Sequence, residues 1–564
     1  MKRITIMAVA ALFLFAACHK DDITVVDDTT SNGGGVNIDD VDDIDTNYDR
    51  TVEIVFSTST HATVSGVGDS LAVTLDGNDV TISNLGTEKV LYRLTGSTTD
   101  GFLKIYSGRK QTLALNGVSI KNNRGAAINV QGYSSTPNKG KRVDIVLNGS
   151  NSLADGSTYS LTPSTEDEKA ALFSEGQIVF SGSGSLEVTA TGKAGITSDD
   201  WVAFLDGCNV SVTSSAGHAI RGKEYVLVSG GTLDISVSAD GKKGISSDSL
   251  VRFDGGTTTI AVTGSTVVES GDTSGTAGIK ADQLFEMNSG ALTITNSGKG
   301  GKGISCDGPA HFNGGTIDIT VTGQNFGSSG GGGGWPGPGG GGGSDRSVGA
   351  KGIKCDGDIV ISGGVITVKA SSHEGIETKG TLTISGGQTY SQSSDDAINS
   401  ASTMTITGGV VCAYSTGNDG LDANGNCYIQ GGLIYAIGKN SPEMAIDANT
   451  EGGFKLYIQG GTIIAIGNLE NGAQLTQNCY QASSWSKNVW YSITVGDNTY
   501  AFKTPSSGGT KLVVSGAVQP TVKSNVTVNG GTEMCNGMLN DNPSVSGGSN
   551  VSLSNYSSGG GGWW

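Results

Sequence analysis

Carboxylate side chains recur at a nearly fixed spacing in the middle of the chain. The string GNDGLDANG (417–425) follows two segments of the same pattern, SSHEGIETKG (371–380) and SSDDAINSAS (393–402). Each segment has an acidic residue two places before an aliphatic one and an oxygen-bearing side chain one place after it. These two columns hold Glu374, Asp396 and Asp419, and then Glu377, Asn399, Asp422 and Asp447.

Calcium is the ion that such a set of side chains would hold. It takes about six to eight oxygen ligands, which carboxylates, an amide and turn carbonyls can supply. Carboxylates stacked on adjacent strands would otherwise repel one another. An EF-hand loop is excluded because its twelve-residue ligand pattern with a terminal Glu is absent. We therefore predict bound calcium at these residues, and a solvated acidic face without an ion is the alternative.

A repeat in the sequence must position these side chains. Pairs of small residues recur at 230, 255, 314, 363, 386, 408, 431 and 460. Within each repeat, alternation such as Leu233, Ile235 and Val237 marks a strand. The pattern predicts an all-β fold, a right-handed parallel β-helix (a single-stranded solenoid) with a small C-terminal β cap over the open strand edges. A β-propeller is excluded because its blades need about 40–45 residues.

The chain divides into four predicted parts. Residues 1–18 read as a signal peptide and residues 19–49 as an acidic, disordered tether. Residues 50–467 form the predicted β-helix, which a flexible Gly-rich loop interrupts at 324–346. Residues 468–564 are the cap and tail.

The N-terminal signal predicts where the protein resides. FAAC resembles a bacterial lipobox, which implies that Cys18 is lipidated, and HKDD resembles an export signal to the outer face of the outer membrane. We expect a surface-exposed lipoprotein that contacts the membrane through its lipid anchor only. An ordinary cleaved signal peptide is the alternative.

The charge excludes one class of partner. The formal net charge is −18, and residues 21–49 hold ten Asp and no Lys or Arg. The rest of the chain, after residue 49, is also acidic. This argues against nucleic acid as the main partner, since phosphate binding needs a basic face. We expect a monomer.

Lysines occupy the same two columns in earlier repeats. Lys243, Lys302 and Lys351 precede the aliphatic residue, and Lys280 and Lys354 follow it. Aspartates stand three places after the aliphatic residue, at Asp199, Asp248, Asp282, Asp307 and Asp356. Surface ion pairs worth less than about 1 kcal/mol each are one interpretation. The other predicts that Lys302 and Lys351 bind the carboxylates of uronic acids.

Tyrosines fill an outward column on the first strand of later repeats. Tyr390 and Tyr435 share one column and Tyr414 lies in the next. Outward apolar side chains on successive repeats need a cover or a partner. We predict a platform on which sugar rings stack; the alternative is that the C-terminal segment, with Trp485 and Trp490, covers them.

The strings LNGVSIKNNRGAAINV, LNGSNSLADGSTYS and AALFSEGQIVFSGSGSLEV, followed by the serial acidic repeats, resemble a known family over residues 50–530. It is the pectate-lyase-like, calcium-containing β-helix family described as carbohydrate-binding domains for cellulose and polygalacturonate. The resemblance implies binding of a polysaccharide without cleavage, with calcium as the bound ion.

Two other functions stay open. A β-helix polysaccharide lyase would need an Arg or Lys base, for which Arg221 with Lys223, or Arg252, are the candidates. A structural or adhesive surface protein is the other.

Two cysteines occupy the same inward position of neighbouring repeats. Cys306 and Cys355 either lie within reach of a disulfide or serve as small interior residues.

Overall fold

The computed structural model describes residues 41–42, 44–84, 86–132, 142–160, 162–327 and 348–558. The predicted signal peptide with Cys18, most of the predicted tether and most of the Gly-rich loop lie outside the described residues. The chain splits into two compact units, Met1–Ile44 and Asp45–Trp564. Only Val41, Asp42 and Ile44 of the first unit are described. All that follows concerns the second unit.

Every regular element among the described residues is a β-strand. The strands of the first half are β1 Arg50–Phe56, β2 Thr63–Ser65, β3 Leu71–Asp76, β4 Asp79–Asn84, β5 Val90–Thr98, β6 Phe102–Ser107, β7 Gln111–Asn116, β8 Ser119–Lys121, β9 Ile128–Gln131, β10 Arg142–Asn148, β11 Ser150–Ala154, β12 Ala170–Ser174, β13 Gln177–Gly182, β14 Ser185–Ala190, β15 Ala194–Ser198, β16 Trp201–Phe204, β17 Asn209–Ser214, β18 Ile220–Gly222, β19 Tyr225–Val228, β20 Thr232–Val237, β21 Lys243–Ser247, β22 Leu250–Val262, β23 Val267–Glu269, β24 Asp272–Ser274, β25 Ala277–Ala281 and β26 Leu284–Asn296.

The strands of the second half are β27 Lys302–Cys306, β28 Ala310–Phe312, β29 Thr316–Val321, β30 Lys351–Cys355, β31 Ile359–Ile361, β32 Val365–Ala370, β33 Ile376–Thr378, β34 Leu382–Ile384, β35 Gln388–Ser393, β36 Ile398–Ser400, β37 Met404–Ile406, β38 Val410–Ser415, β39 Leu421–Ala423, β40 Cys427–Ile429, β41 Leu433–Ile437, β42 Leu456–Ile458, β43 Thr462–Ile466, β44 Gln474–Leu475, β45 Cys479–Ala482, β46 Trp490–Val495, β47 Asn498–Lys503, β48 Leu512–Ser515, β49 Thr521–Asn529, β50 Thr532–Met534, β51 Leu539–Asp541, β52 Ser544–Asn550 and β53 Ser554–Asn555. No helix among these described stretches is long and apolar enough to cross a membrane.

Each repeat adds one strand to each of three parallel rows. Row 1 contains β7, β10, β13, β16, β19, β22, β26, β28, β31, β34, β37, β40 and β42. Row 2 contains β8, β11, β14, β17, β20, β22, β26, β29, β32, β35, β38, β41 and β43. Row 3 is part of a separate 14-stranded sheet and contains β4, β6, β9, β12, β15, β18, β21, β25, β27, β30, β33, β36 and β39. Because pairing is parallel and in register, equivalent residues of successive repeats form columns.

Rows 1 and 2 close on each other, which corrects the predicted fold class. Twelve parallel strands pair in a closed ring, β5–β7–β10–β13–β16–β19–β22–β20–β17–β14–β11–β8 and back to β5. The prediction of a right-handed, single-stranded β-helix solenoid is therefore wrong, since the structure has a closed parallel barrel of twelve strands with extra sheets.

Two long strands produce this closure. β5 pairs with β7 through its first residues and with β8 through Ser97 and Thr98, on either side of a bend at Gly96. The 13-residue β22 pairs with β19 and then with β20, and its register shifts at Asp254 where Gly256 takes a positive φ. A glycine adopts that conformation without a steric penalty.

The core is apolar and ordered in columns. Inward positions of the three rows carry Val, Ile, Leu and Phe side chains that are almost fully buried. Phe180 and Phe204 are register partners that stack with ring centroids 4.9 Å apart. Further along the core, Phe285 packs between Phe253 and Phe312 from the neighbouring inward column. Hydrophobic burial along these columns holds the repeats together.

The recurrent small pairs in the sequence are the turns between rows 1 and 2. Gly409 has a φ of 79°, and a Cβ built there would lie 2.6 Å from the carbonyl oxygen of Gly386 in the preceding repeat. Gly387 and Gly432 meet the preceding repeat in the same way. Successive turns stack so closely that a side chain does not fit.

We expect Gly409→Ala to lower the free energy of unfolding by about 1–3 kcal/mol, because Ala adds both a clash and a strained φ. Chemical denaturation measures this effect. Gly275→Ala is the matched control, since a Cβ there meets no atom within 4 Å and the backbone φ is not positive. Equal stabilities of the two variants would contradict this account of the turns.

Part of the region after residue 467 forms a separate sheet of six antiparallel strands, in the order β50–β51–β47–β46–β49–β52. The strands β44, β45, β48 and β53 instead join the sheet of rows 1 and 2, where β48 pairs antiparallel with β43. The apolar side chains of the six-stranded sheet, with Phe502 and Leu539 among them, pack against the outward face of row 2. A disulfide between Cys412 of β38 and Cys535 attaches this region to row 2. Cys306 and Cys355 are register partners, but both are free thiols buried in the core.

Candidate functional site

The acidic column predicted from the sequence lies on row 3. Glu377 of β33, Asn399 of β36 and Asp422 of β39 are register partners, and these strands pair directly. A parallel bridge between Leu421 and Ile446 extends the column and brings Asp447 beside Asp422. Strand neighbours lie about 4.8 Å apart, so the side chains of successive repeats are in reach of one another.

The second acidic column lies in the turns that precede these strands. The backbone N–H of Asp419 donates to a carboxylate oxygen of Asp396 at 3.1 Å. The N–H of Met444 donates in the same way to Asp419. Asn399 Nδ2 donates to Asp422 and, at 3.3 Å, to Asp396. The structure thus joins both columns into one network.

Cations divide this network into two parts. Lys351 Nζ lies 3.1 Å from a carboxylate oxygen of Glu374 and 2.5 Å from one of Glu377. Lys379 also pairs with Glu377, and His373 pairs with Glu374. Although burial would raise the pKa of Glu377, these two lysines lower it. Glu374 and Glu377, predicted as calcium ligands, already have their charges compensated by side chains.

We call Asp396, Asp419, Asp422 and Asp447 the aspartate cluster. Within the described part of the chain, none of them forms an ion pair with Lys, Arg or His. Burial raises the pKa of Asp419 to about 7. Burial is also the largest cause that raises the pKa values of the other three, and neighbouring carboxylates add to it. For Asp447 that neighbour is chiefly Glu470. Four carboxylates thus share a partly buried space without a compensating positive charge.

The aspartate cluster has the geometry and chemistry of a calcium site. One carboxylate oxygen from each of Asp419, Asp422 and Asp447 lies within 4.8 Å of the others. Oxygens that share one calcium at about 2.3–2.6 Å must lie within about 5 Å of each other. A hard divalent cation would also remove the repulsion that raises these pKa values. The residues therefore fit the predicted ion.

A second group, His373, Glu374 and Asp395, also lies within 4.8 Å. Burial lowers the pKa of His373, but hydrogen bonds to Asp395 and Glu374 outweigh it and raise the pKa to about 9. His373 pairs with both carboxylates, so a side chain already compensates their charge. This group is an ion-pair network.

The tyrosine column is covered. Tyr390, Cys412 and Tyr435 are register partners on row 2, as the sequence predicts. Tyr390 and Tyr435 are only 2% and 1% exposed, and Tyr414 is half-buried in the same cluster. The Tyr435 hydroxyl donates to the Lys503 carbonyl at 2.8 Å. The C-terminal sheet therefore occupies the face where Tyr390, Tyr414 and Tyr435 were predicted to stack on sugar.

Sequence reasoning missed an exposed aromatic pair. Tyr428 of β40 and Tyr457 of β42 are register partners on row 1, and their rings stack 4.7 Å apart with an interplanar angle of 12°. Both are only partly buried. The string YIQGG occurs at both positions, and this exact repeat was the signal that could have identified them.

The predicted lysines have different surroundings. Lys351 is engaged with Glu374 and Glu377, whereas Lys302 lines a cavity of about 420 Å³ on row 3 together with Lys243, Lys280 and Lys354. Lys302 and Lys351 are register partners on adjacent strands, as the sequence predicts, but among the described residues only Lys351 is paired with carboxylates.

Two of the three candidate lyase bases, Arg221 and Arg252, are paired with carboxylates. Arg221 binds both oxygens of Asp248 at 2.7 and 2.8 Å, and Arg252 Nε lies 2.8 Å from Asp254. Along row 3, Arg221 is seven strand pairings from Asp422. At about 4.8 Å per strand, that is roughly 34 Å.

A family model described as "Carbohydrate-binding domain-containing protein" matches residues 76–248 and 339–397, less than half of the chain. No curated protein matches the sequence. The solved "Structure of the polysaccharide lyase-like protein from C. thermocellum, Gadolinium derivative" is 23% identical over 46% of this chain and 96% of that chain, with a TM-score of 0.37. A TM-score this low carries no argument.

The family match includes Glu374, Glu377 and Asp396 and ends before Asp419. It does not extend to calcium, to a particular glycan or to the pectate-lyase-like resemblance seen in the sequence. Within the two matched ranges the chain is similar to a carbohydrate-binding domain family.

Proposed function

We propose that this protein binds a polysaccharide without cleaving it, at the outward face of row 3, with calcium held by the aspartate cluster. The observation that carries the proposal is the set of four buried or half-buried aspartates with no paired cation. The family match supports a carbohydrate ligand. Lipidation at Cys18 and a position on the outer membrane surface complete the proposal.

The aspartate cluster would hold the ion through Asp419, Asp422 and Asp447, with Asp396 beside them. Bound calcium would neutralise these carboxylates and offer coordination positions to sugar hydroxyl or carboxylate oxygens. Asn399 fixes two of the aspartates, since its amide donates to both Asp396 and Asp422. The chain's own residues thus hold the acidic surface in one arrangement before a ligand arrives.

Binding without cleavage rests on the charge arrangement around the cluster. A lyase needs a basic group beside the acidic site, but Arg221 is paired with Asp248 and Arg252 with Asp254. Lys351 and Lys379, the nearest lysines in this network, are held by Glu374 and Glu377. No described basic side chain forms an ion pair with the aspartate cluster.

A glycan array tests the proposal, with wild type in calcium and in chelator. We expect selected polysaccharides to bind in calcium and binding to fall at least about tenfold in chelator, a difference of about 1.4 kcal/mol. Asp419→Asn with Asp422→Asn should bind weakly in both conditions. Asp234→Asn with Asp318→Asn removes the same charge from exposed positions and should bind like wild type.

Two results would contradict the proposal. Equal binding in calcium and in chelator would show that polysaccharide binding does not need calcium. Release of unsaturated uronides from a bound polyuronate, seen as ultraviolet absorbance, would show a lyase instead.

A further inference from the structure

The lysine pocket is a second feature of row 3, separate from the aspartate cluster. We define it as the cavity of about 420 Å³ lined by Lys243, Lys280, Lys302 and Lys354. Ala277 and Ser305 also line it. Four lysine side chains therefore line one concave site on a chain whose net charge is −18.

The register explains why a cavity forms here. In one column Lys243, Ala277 and Lys302 succeed each other, and in the neighbouring column Lys280, Ser305 and Lys354 do so. Each column thus places a small residue between two lysines, and the two columns are offset by one strand. The small residues leave room between the longer lysine side chains.

Only half of the positive charge is compensated. Lys280 pairs with Asp282 at 3.0 Å and with Asp307, and Lys354 pairs with Asp356 at 2.5 Å.

Lys243 and Lys302 contact backbone carbonyls, of Gly241 at 3.0 Å and of Gly300 at 3.4 Å. Burial and then neighbouring lysines lower the pKa of each to about 8. Neither forms an ion pair with a carboxylate among the described residues. An anion in the cavity would supply the missing negative charge.

The lysine pocket and the aspartate cluster lie on the same face. Lys354, Glu377, Asn399 and Asp422 occupy one column on successive strands. Three strand spacings separate Lys354 from Asp422, which is roughly 14 Å. Four strand spacings, roughly 19 Å, separate the strand of Lys302 from that of Asp422. One extended oligosaccharide can span this distance and contact both sites.

We propose that the lysine pocket binds an oxyanion substituent, carboxylate or sulfate, of an acidic saccharide. This inference rests on the proposed function and narrows its substrate class to acidic polysaccharides. The oxyanion accepts hydrogen bonds from Lys243 and Lys302, the two lysines without a carboxylate partner, while the nearby aspartate cluster takes the calcium.

Binding of three oligosaccharides of equal length to the full chain in calcium tests the proposal. The probes are an oligogalacturonide, its fully methyl-esterified form and a sulfated galactan oligosaccharide. We expect the neutral ester to bind at least about tenfold more weakly than one of the two acidic probes. The tighter of those two identifies carboxylate or sulfate as the natural group.

The variant Lys243→Gln with Lys302→Gln should lose that preference, binding the acidic probe about tenfold more weakly and the ester unchanged. Lys487→Gln with Lys523→Gln is the matched control, since both lysines are exposed in the C-terminal region. It should bind all three probes like wild type. An unchanged affinity of the pocket variant for the acidic probe would overturn the proposal.

Lysine footprinting on wild type gives a second measurement that needs no variant. Free galacturonate or inorganic sulfate should protect Lys243 and Lys302 from an amine-reactive reagent, while methyl galacturonate ester should not. Protection without binding of any polysaccharide would support the anion site and contradict the proposed function. Polysaccharide binding without such protection would leave the proposed function standing and overturn the lysine pocket.

Discussion

Calcium will raise the melting temperature of the wild-type protein by several degrees relative to the same protein in chelator. An ion that binds only the folded state stabilises it by about 2.7 kcal/mol at a concentration about 100 times its Kd. The binding energy comes from the aspartate cluster, where Asp419, Asp422 and Asp447 place oxygens within 4.8 Å of one another. Differential scanning calorimetry with calcium and with chelator measures the shift.

The double variant Asp419→Asn with Asp422→Asn should change the melting temperature both in calcium and in chelator. The amides keep the shape but lose the charge, so calcium should no longer raise the melting temperature. In chelator the variant should melt above wild type, because the variant lacks two of the buried charges that repel one another. If the calcium-induced rise in melting temperature comes from the aspartate cluster, this variant should no longer show it.

Asp234→Asn with Asp318→Asn is the control for a general effect of charge, because both side chains are exposed on row 2. It should retain the full calcium shift. A wild-type melting temperature that does not respond to calcium would contradict the proposed ion site and leave GNDGLDANG as a solvated acidic turn.

Loss of the Cys412–Cys535 disulfide will destabilise the protein by about 2–5 kcal/mol. The bond closes a loop with a sequence separation of 123 residues, so it restricts the unfolded chain strongly. It also fixes the C-terminal region over Tyr390 and Tyr435. Cys412→Ser with Cys535→Ser should therefore lower the melting temperature and expose these rings to solvent.

Denaturant unfolding followed by tyrosine and tryptophan fluorescence measures the change. A reductant should lower the stability of wild type toward that of the variant and leave the variant unaffected. Reductant has no disulfide to act on at Cys306 and Cys355, which are free, so these thiols do not confound the comparison. Equal stability of oxidised and reduced wild type would contradict the structural role of the bond.

The columns of the site follow from the sequence because the repeat length is nearly constant. Parallel strands of equal repeats pair in register, so Glu377, Asn399 and Asp422 meet as predicted. Tyr390 meets Cys412 for the same reason. The sequence likewise predicts the turns, because stacked glycines such as Gly409 leave no room for a side chain.

The closed ring is not visible in this pattern. Alternation indicates strands but not which strands bend, and the closure depends on β5 and β22 each pairing with two rows. The repeat and its strands could therefore be predicted from the sequence, but the single-stranded solenoid inferred from them was wrong.

The sequence by itself determined which residues share a column, because that depends only on spacing and on parallel register. Tertiary structure alone decided what each column contacts. Lys351 compensates Glu377, while Asp422 has no cationic partner among the described residues. The C-terminal sheet covers Tyr435, while Tyr457 stays partly exposed. These contacts depend on the direction of each side chain and on segments that are distant in sequence, such as those that Cys412 and Cys535 join. The local spacing of residues does not specify the side-chain directions or the contacts between distant segments.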